Sequence, residues 1–253
     1  MKNSILVVIA LLVSNNLLAQ IVNVESKRMQ TDSSRIKFRG DLSTSYVNND
    51  GNYIINIKSN VVSQYRSKDQ KSIFFFIGNY GIIRAEEQDF NNTWFFHLRH
   101  NYQISKRLQT ELFIQNQYNE LLDVTTRNLF GAGLRLKVIS KEYLSMHIGN
   151  AYMYEIENSN TLNEHFLNHR NSTYLSLSVT TPNSKLEIIN TIYFQPLYTC
   201  FDDFTVLEQL KVDVEISKKT SMFTLFNYYH DNITPEIRAQ FNSQLSFGMG
   251  IKL

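Results

Sequence analysis

Apolar and polar residues alternate along most of the chain between residues 35 and 253. In the C-terminal run FNSQLSFGMGIKL, Phe241, Leu245, Phe247, Met249 and Ile251 share one face. Successive side chains of a β-strand point to opposite sides, so this alternation predicts strands. Similar runs begin near Arg35, Tyr53, Ser72, Thr93, Leu108, Arg127, Tyr143, Asn171, Leu186, Thr205, Ser221 and Phe241. The chain is therefore predicted to be all-β, with about twelve strands.

The length of these runs favours a membrane barrel. They span about 10 to 15 residues, whereas strands of globular proteins mostly have about 5 to 6 and a tilted bilayer-spanning strand needs roughly 9 to 11. A barrel also leaves no unpaired strand edge in the lipid. We therefore predict a transmembrane antiparallel up-and-down β-barrel. A soluble, exported β protein is the alternative, and it would fold without detergent or lipid.

A Ser-Lys dipeptide marks the connections between the predicted strands. Its copies begin at Ser26, Ser67, Ser105, Ser140, Ser184 and Ser217. The first copy precedes the first strand, and the others lie in short connections at every second junction. The junctions between them, such as NNDGN and EEQDFNN, look longer and more varied. Short turns on one rim and long loops on the other are typical of outer-membrane barrels.

The N-terminal sequence MKNSILVVIALLVSNNLLAQ combines Lys2, the apolar stretch 5–13 and Ala19 before a cleavage position. This order predicts a secretory signal peptide of residues 1–19. Residues 20–34 are then predicted to be a periplasmic segment, and residues 35–253 the barrel. We expect the barrel in the outer membrane with both termini periplasmic, because an even number of strands returns the chain to the side where it began.

Composition restricts the expected partners. The formal net charge is only +2 and no basic stripe is present, so a nucleic-acid partner is not expected. The single cysteine, Cys200, excludes an internal disulfide. Outer-membrane lipid, lipopolysaccharide and small solutes or ions are the expected partners. The barrel-assembly machinery is another, because FGMGIKL resembles its C-terminal signal, although that signal often ends in an aromatic residue.

The face of the predicted strands opposite the apolar one would line the lumen, and it carries both signs of charge. Its charged and titratable residues are Lys37, Arg39, Asp41, Lys58, His97, Arg99, Glu111, Arg135, Lys137, His147, Glu155, Glu157, Glu187, Lys211, Asp213 and Glu215. A strongly selective pore would favour one sign. Two interpretations stay open: a small polar pore of weak selectivity, or ion pairs that fill and rigidify a narrow barrel.

Aromatic residues near the predicted strand ends suggest interfacial girdles. They are Tyr46, Tyr53, Tyr65, Tyr102, Tyr118, Tyr152, Tyr154 and Tyr229. Two stretches, 73–83 and 222–230, carry apolar residues on both faces. For these the alternation does not decide which side faces the lumen.

No residue pattern predicts an enzyme, a cofactor or a metal site. The Ser-Lys pairs lie in turns, where no desolvated lysine would activate a serine. None of the six histidines precedes a serine by two residues, the arrangement of outer-membrane phospholipases. His165 and His169 would share a metal only on a helix, and Asp202 and Asp203 suit an ordinary turn. An enzyme with its site in the extracellular loops is the third functional hypothesis, after a channel and a plugged barrel that supports envelope integrity under osmotic stress.

Several segments resemble a family of uncharacterised outer-membrane proteins often labelled salt-induced. They are NVESKRMQTDS, HLRHNYQI, QYNELL, GAGLRLK, YMYE and YFQPL. The resemblance covers nearly the whole chain after residue 19 and implies a monomeric barrel of unknown function. It implies no catalytic residues, and the label describes regulation and does not describe a mechanism.

Overall fold

The computed structural model describes residues 35–49, 52–85, 88–119, 124–159, 164–183, 185–233 and 241–252. The predicted signal peptide and the segment 20–34 lie outside this part of the chain. The strands are β1 (Ile36–Asn49), β2 (Asn52–Arg66), β3 (Ser72–Ala85), β4 (Gln88–Gln103), β5 (Leu108–Asn119), β6 (Val124–Lys141), β7 (Leu144–Ser159), β8 (Glu164–Thr180), β9 (Leu186–Pro196), β10 (Phe204–Glu215), β11 (Thr220–Asp231) and β12 (Phe241–Lys252).

The strands form a closed antiparallel barrel in which each strand pairs with its neighbours in the sequence. The barrel closes where β1 meets β12, with Arg39 opposite Lys252 and Thr44 opposite Phe247. The chain therefore enters and leaves the barrel at one rim, which we call the terminal rim. The predicted fold class is confirmed.

Side chains alternate between an apolar outer wall and an inner wall. On β1, Ile36 and Leu42 expose 59% and 60% of their surface outward, whereas Arg39 and Asp41 are buried inside. Apolar exposure on this scale, repeated around the barrel, suits contact with lipid chains and would not be stable in water. Among the described residues, no helix is long and apolar enough to cross a membrane.

The turns that contain Ser67, Ser105 and Ser217 lie on the terminal rim, and the hydroxyl groups of these serines hold the turns closed. The hydroxyl oxygens of Ser67, Ser105 and Ser217 accept hydrogen bonds from the backbone amides of Ser72, Leu108 and Thr220, at 3.0, 3.1 and 3.1 Å. Thr181 does the same for the amide of Leu186, at 3.1 Å. Serine and threonine hydroxyls stabilise turns in this way. The same turn chemistry therefore accounts for the copies of the dipeptide at Ser67, Ser105 and Ser217.

The connections on the opposite rim are varied, as predicted, but they are not all longer than those of the terminal rim. Only residues 50–51 separate β1 from β2, and only 86–87 separate β3 from β4. The longer connections are 197–203 and 232–240. Polar residues such as Asn48 and Asn52 looked like loop residues, but they pair across the hairpin as strand residues. Polar side chains are compatible with a strand where it extends beyond the apolar part of the wall.

The structure also settles the two ambiguous stretches. On β3, Phe75 and Ile77 are buried inside the barrel, and they alternate with Phe74 and Phe76, which face outward. On β11, Phe223, Leu225 and Tyr229 are on the inner wall, whereas Met222, Thr224, Phe226 and Tyr228 alternate with them on the outer wall. The prediction that Tyr229 belongs to an interfacial girdle is therefore wrong, because its hydroxyl donates a hydrogen bond to Asp231 on the inner wall at 3.0 Å. Tyr65, Tyr102 and Tyr152 are exposed on the outer wall, as a girdle requires. The side chains of Tyr46 and Tyr53 lie outside the described part of the structure.

Candidate functional site

The structure brings the predicted lumen charges to the inner wall. The most deeply buried are Arg39, Asp41, His97, Arg99, Glu111, Arg135, Glu155, Glu157, Lys211 and Asp213. Lys37, Lys58, Lys137, His147, Glu187 and Glu215 are partly exposed. Their cross-strand partners include Gln64, Ser43, Ser176, Asp213 and Ser221, which are buried inside.

The Arg39 cluster (Arg39, Asp41, Lys211, Asp213 and Ser221) lies near the terminal rim. Arg39 donates from Nε to Asp41 Oδ1 and from Nη2 to Asp213 Oδ2, both at 2.6 Å. Lys211 Nζ lies 2.9 Å from Asp213 Oδ2. Arg39 also donates to the Ser221 hydroxyl at 3.2 Å. The cluster therefore alternates positive and negative groups between β1 and β10, which have two strands, β12 and β11, between them.

A glycine on β12, one of the two intervening strands, makes this reach possible. A Cβ atom on Gly250 of β12 would lie 2.6 Å from Asp41 Oδ1 and 2.7 Å from Arg39 Nη2. Both distances are shorter than carbon–oxygen or carbon–nitrogen contact allows. The missing side chain lets the Arg39 guanidinium lie flat against the wall on its way to β10.

The Glu111 cluster (Arg99, Asn101, Glu111, Arg135 and Tyr174) is built in the same way. Glu111 accepts hydrogen bonds from Asn101 Nδ2 at 2.7 Å and from the Tyr174 hydroxyl at 2.9 Å. The guanidinium groups of Arg99 and Arg135 lie 3.5 and 3.8 Å from the same carboxylate. Tyr174 on β8 reaches β5 across Gly149, where an added Cβ would lie 2.1 Å from its ring. One carboxylate thus joins four neighbouring groups.

The Arg127 cluster (Arg127, Glu155, Glu157, Arg170 and Asp203) lies near the opposite rim. Arg127 Nη2 donates to Glu155 Oε2 at 2.7 Å, and its Nε lies 3.4 Å from Glu157 Oε2. Arg170 links Glu155, 3.8 Å away, to Asp203 at 3.2 Å. Asp203 belongs to the connection 197–203, so this cluster ties a loop to the barrel wall. Neither Arg127 nor Arg170 was among the lumen residues predicted from the sequence, although both continue the alternation of their strands.

Apolar side chains fill the inner wall between these clusters. Val62, Ile77 and Phe95 form one group, and Phe113, Leu129, Ala151 and Met153 form a second. Tyr174, Tyr193 and Leu207 form a third, with Tyr229 packed against it. Sequence reasoning missed them because an apolar residue on the polar face looks like a break in the alternation.

Deep burial of the charges indicates how full the lumen is. Glu111, Arg135 and Asp213 expose 2%, 4% and 4% of their surface. Side chains lining a wide aqueous pore would be bathed in water. Much of the described inner wall therefore packs as a core of ion pairs and apolar groups, and water has little access to its most deeply buried charges.

Other candidate chemistry is not assembled in the described structure. His165 and His169 lie on β8, so the helix that a shared metal would require is absent there, and residues four apart on a strand are separated by about 13 Å. His169 faces outward and contacts the Tyr152 hydroxyl. Among the described residues, no group of three or more His, Cys, Asp or Glu side chains is arranged to hold a metal ion.

A hollow of about 480 Å³ lies on the outer wall of β3–β7. Its lining is mostly apolar and includes Phe74, Leu98, Leu112, Phe130 and Tyr152. Gly131 and Ala132 also line it. The hollow faces the lipid side of the wall, so it does not extend the lumen.

Comparisons with solved structures agree on the fold. An outer-membrane channel from Pseudomonas putida F1 is similar at 6% identity, with 86% of this chain and 95% of that chain covered and a TM-score of 0.53. The translocator domain of the autotransporter NalP from Neisseria meningitidis shares 10% identity over 90% and 91%, with a TM-score of 0.51. The NanC porin shares 8% identity over 85% and 98%, with a TM-score of 0.50. At these identities the likeness concerns the fold alone.

Sequence comparison supplies the family. No curated protein matches the chain. The model of a family described as "Protein of unknown function, DUF481" matches residues 55–252, which is most of the barrel. The match confirms the resemblance to an uncharacterised family, and the structural neighbours are barrels of the outer membrane. The chain therefore belongs to the DUF481 family, as an outer-membrane β-barrel.

Proposed function

We propose that this protein is an outer-membrane channel for small ions or solutes whose lumen is closed in the described conformation. One observation carries the proposal: charged side chains of the inner wall are deeply buried. The Arg39, Glu111 and Arg127 clusters are buried, yet each is built around ion pairs of arginine with aspartate or glutamate. Both signs are present, so an opened path would select weakly between anions and cations.

The energetic cost of burying these ion pairs supports a functional role for them. Burying ion pairs costs desolvation energy, and replacing them with packed apolar residues of similar size is often neutral or stabilising. A barrel selected only for stability could be filled by residues like those around Phe113 and Leu207. Charged groups are instead retained along the inner wall, where they would stabilise water and ions whenever the packing loosened.

A second candidate is a permanently plugged barrel that supports the envelope, with a role under osmotic stress. The apolar groups that pack between the charged clusters favour it. We further propose that the terminal rim faces the periplasm. The two longest connections, 197–203 and 232–240, lie on the opposite rim and support this orientation, because outer-membrane barrels carry their longer loops on the extracellular side.

Tyr174→Ala separates the two candidates. The substitution removes the ring that covers Gly149 and donates to Glu111. If the clusters close a path, liposomes containing the variant should admit small sugars and ions several-fold faster than liposomes containing the wild-type protein. A matched control is Tyr152→Ala, which removes an outward-facing tyrosine from the neighbouring strand.

The measurement is liposome swelling, with heat-modifiable gel mobility used to show that both variants are folded. A folded Tyr174→Ala variant as impermeable as the wild-type protein would contradict the channel and favour the plugged barrel. Equal leakage through both tyrosine variants would indicate damaged membranes, and it would also count against the proposal.

A further inference from the structure

The turns of the terminal rim carry a set of exposed cations, which we call the basic rim. Its members are Lys68, Lys71, Lys106, Arg107, Lys141, Lys185, Lys218 and Lys219. They are distributed over all five turns of this rim. The same turns contain only two carboxylates, Asp69 and Glu142, so the rim is strongly positive.

One of these carboxylates is engaged by its own turn. The Ser67 hydroxyl hydrogen-bonds to Asp69, and the backbone amide of Lys71 donates to Asp69 Oδ1 at 3.1 Å. Both hydrogen bonds lower the pKa of the Asp69 carboxyl group, and the one from Ser67 has the larger effect. Asp69 thus stabilises its own turn, and the cations of the basic rim still greatly outnumber its carboxylates.

The basic rim lies directly beyond the apolar outer wall. Ile104 and Ile216, which expose 54% and 58% of their surface, end the outward-facing apolar series of β4 and β10. Lys106 lies two residues after Ile104, and Lys218 lies two residues after Ile216. In a bilayer, cations at this distance from the lipid-facing wall reach the level of the headgroups.

The described part of the opposite rim does not repeat this excess of exposed cations: Arg84 is exposed there, and so is Asp202. Asp202 and Asp203 lie in the connection 197–203, and Asp231 ends β11. Asp203 is paired with Arg170, while Asp202 is exposed. The positive charge is therefore concentrated on one edge of the barrel. This asymmetry matches a membrane whose two leaflets present different headgroups.

We infer that the basic rim binds the phosphate groups of anionic phospholipids in the leaflet that it contacts. The serine-capped turns hold lysines at regular positions around the barrel, and exposed lysines gain from a nearby phosphate layer. The bound lipids would fix the depth of the barrel in the membrane. This inference does not depend on whether the lumen conducts.

The test uses the whole mature protein in detergent with equal amounts of phosphatidylglycerol and phosphatidylcholine. Native mass spectrometry counts the lipids that stay bound. We expect a preference for phosphatidylglycerol that falls at high ionic strength, because salt screens exposed charges. In K106Q/R107Q/K218Q/K219Q the preference should fall by roughly tenfold, since four exposed cations are removed.

The control variant is D69N/E142Q, which removes the two carboxylates of the same rim and should raise the preference. Both variants are compared with the wild-type protein by gel mobility, to show that the barrel is intact. Equal retention of the two lipids by the wild-type protein would overturn the inference. So would an unchanged preference in the folded K106Q/R107Q/K218Q/K219Q variant.

Discussion

At the residue scale, glycine and charge act together in the lumen. Gly250 and Gly149 have no side chain to block Arg39 and Tyr174, which cross them to reach carboxylates on more distant strands. Without these crossings each charge could pair only with its immediate neighbours. The clusters therefore depend on these two glycines, which have no side chain, as well as on the charged residues themselves.

Gly149→Ala tests this dependence. The new methyl group would lie 2.1 Å from the Tyr174 ring, so the ring must move and its hydrogen bond to Glu111 is strained or lost. We expect the free energy of unfolding in urea to fall by about 1–3 kcal/mol, as for overpacked cores. Fluorescence of the single tryptophan, Trp94, would follow the transition.

Gly40→Ala is the matched control for this substitution. A Cβ atom at Gly40 would meet nothing within 4 Å, so its free energy of unfolding should stay close to that of the wild-type protein. Equal destabilisation by the two alanines would show that the crossing at Gly149 is not the cause, because alanine by itself is at least as favourable as glycine inside a strand.

At the scale of elements, the hairpin is the repeating unit. Each hairpin on the terminal rim combines two long strands with a short turn, and in most turns a hydroxyl group caps a backbone amide. The exception is the connection 142–143, where Ser140 and Lys141 still belong to β6. The same dipeptide therefore occupies two structural positions.

This difference predicts unequal effects of serine removal. Ser217→Ala deletes an acceptor for the amides of Lys219 and Thr220 and should lower the free energy of unfolding by about 0.5–1.5 kcal/mol. Ser140→Ala changes a strand residue and should have little effect. Urea titration of both variants in the same detergent measures the difference. A loss in Ser140→Ala as large as that in Ser217→Ala would show that the turn cap is not the cause.

At the scale of the whole molecule, alternation was sufficient to predict the barrel and the approximate strand count. It could not predict how far strands continue beyond the apolar wall, because Asn48 and Asn52 suit both strands and loops. It also could not predict which charges meet. Arg39 and Asp213 are far apart in sequence, and their contact depends on barrel closure and on Gly250.

The inner wall determines what the molecule as a whole does. Alternating charges and apolar groups leave its deepest ionised residues almost without contact with water. In our account, this packing closes the lumen, and permeation requires that clusters such as the Glu111 cluster rearrange. In this proposal, the same packed clusters supply the charges of the inner wall and close the lumen.

Conductance of single wild-type barrels in a planar bilayer tests the closed lumen most directly. Insertion must be established independently, by gel mobility and protease protection of the reconstituted protein. We predict a baseline near that of the protein-free membrane, with no sustained conductance steps at low voltage. Steady, ohmic steps from each inserted wild-type barrel would show an open aqueous pore and would contradict the account.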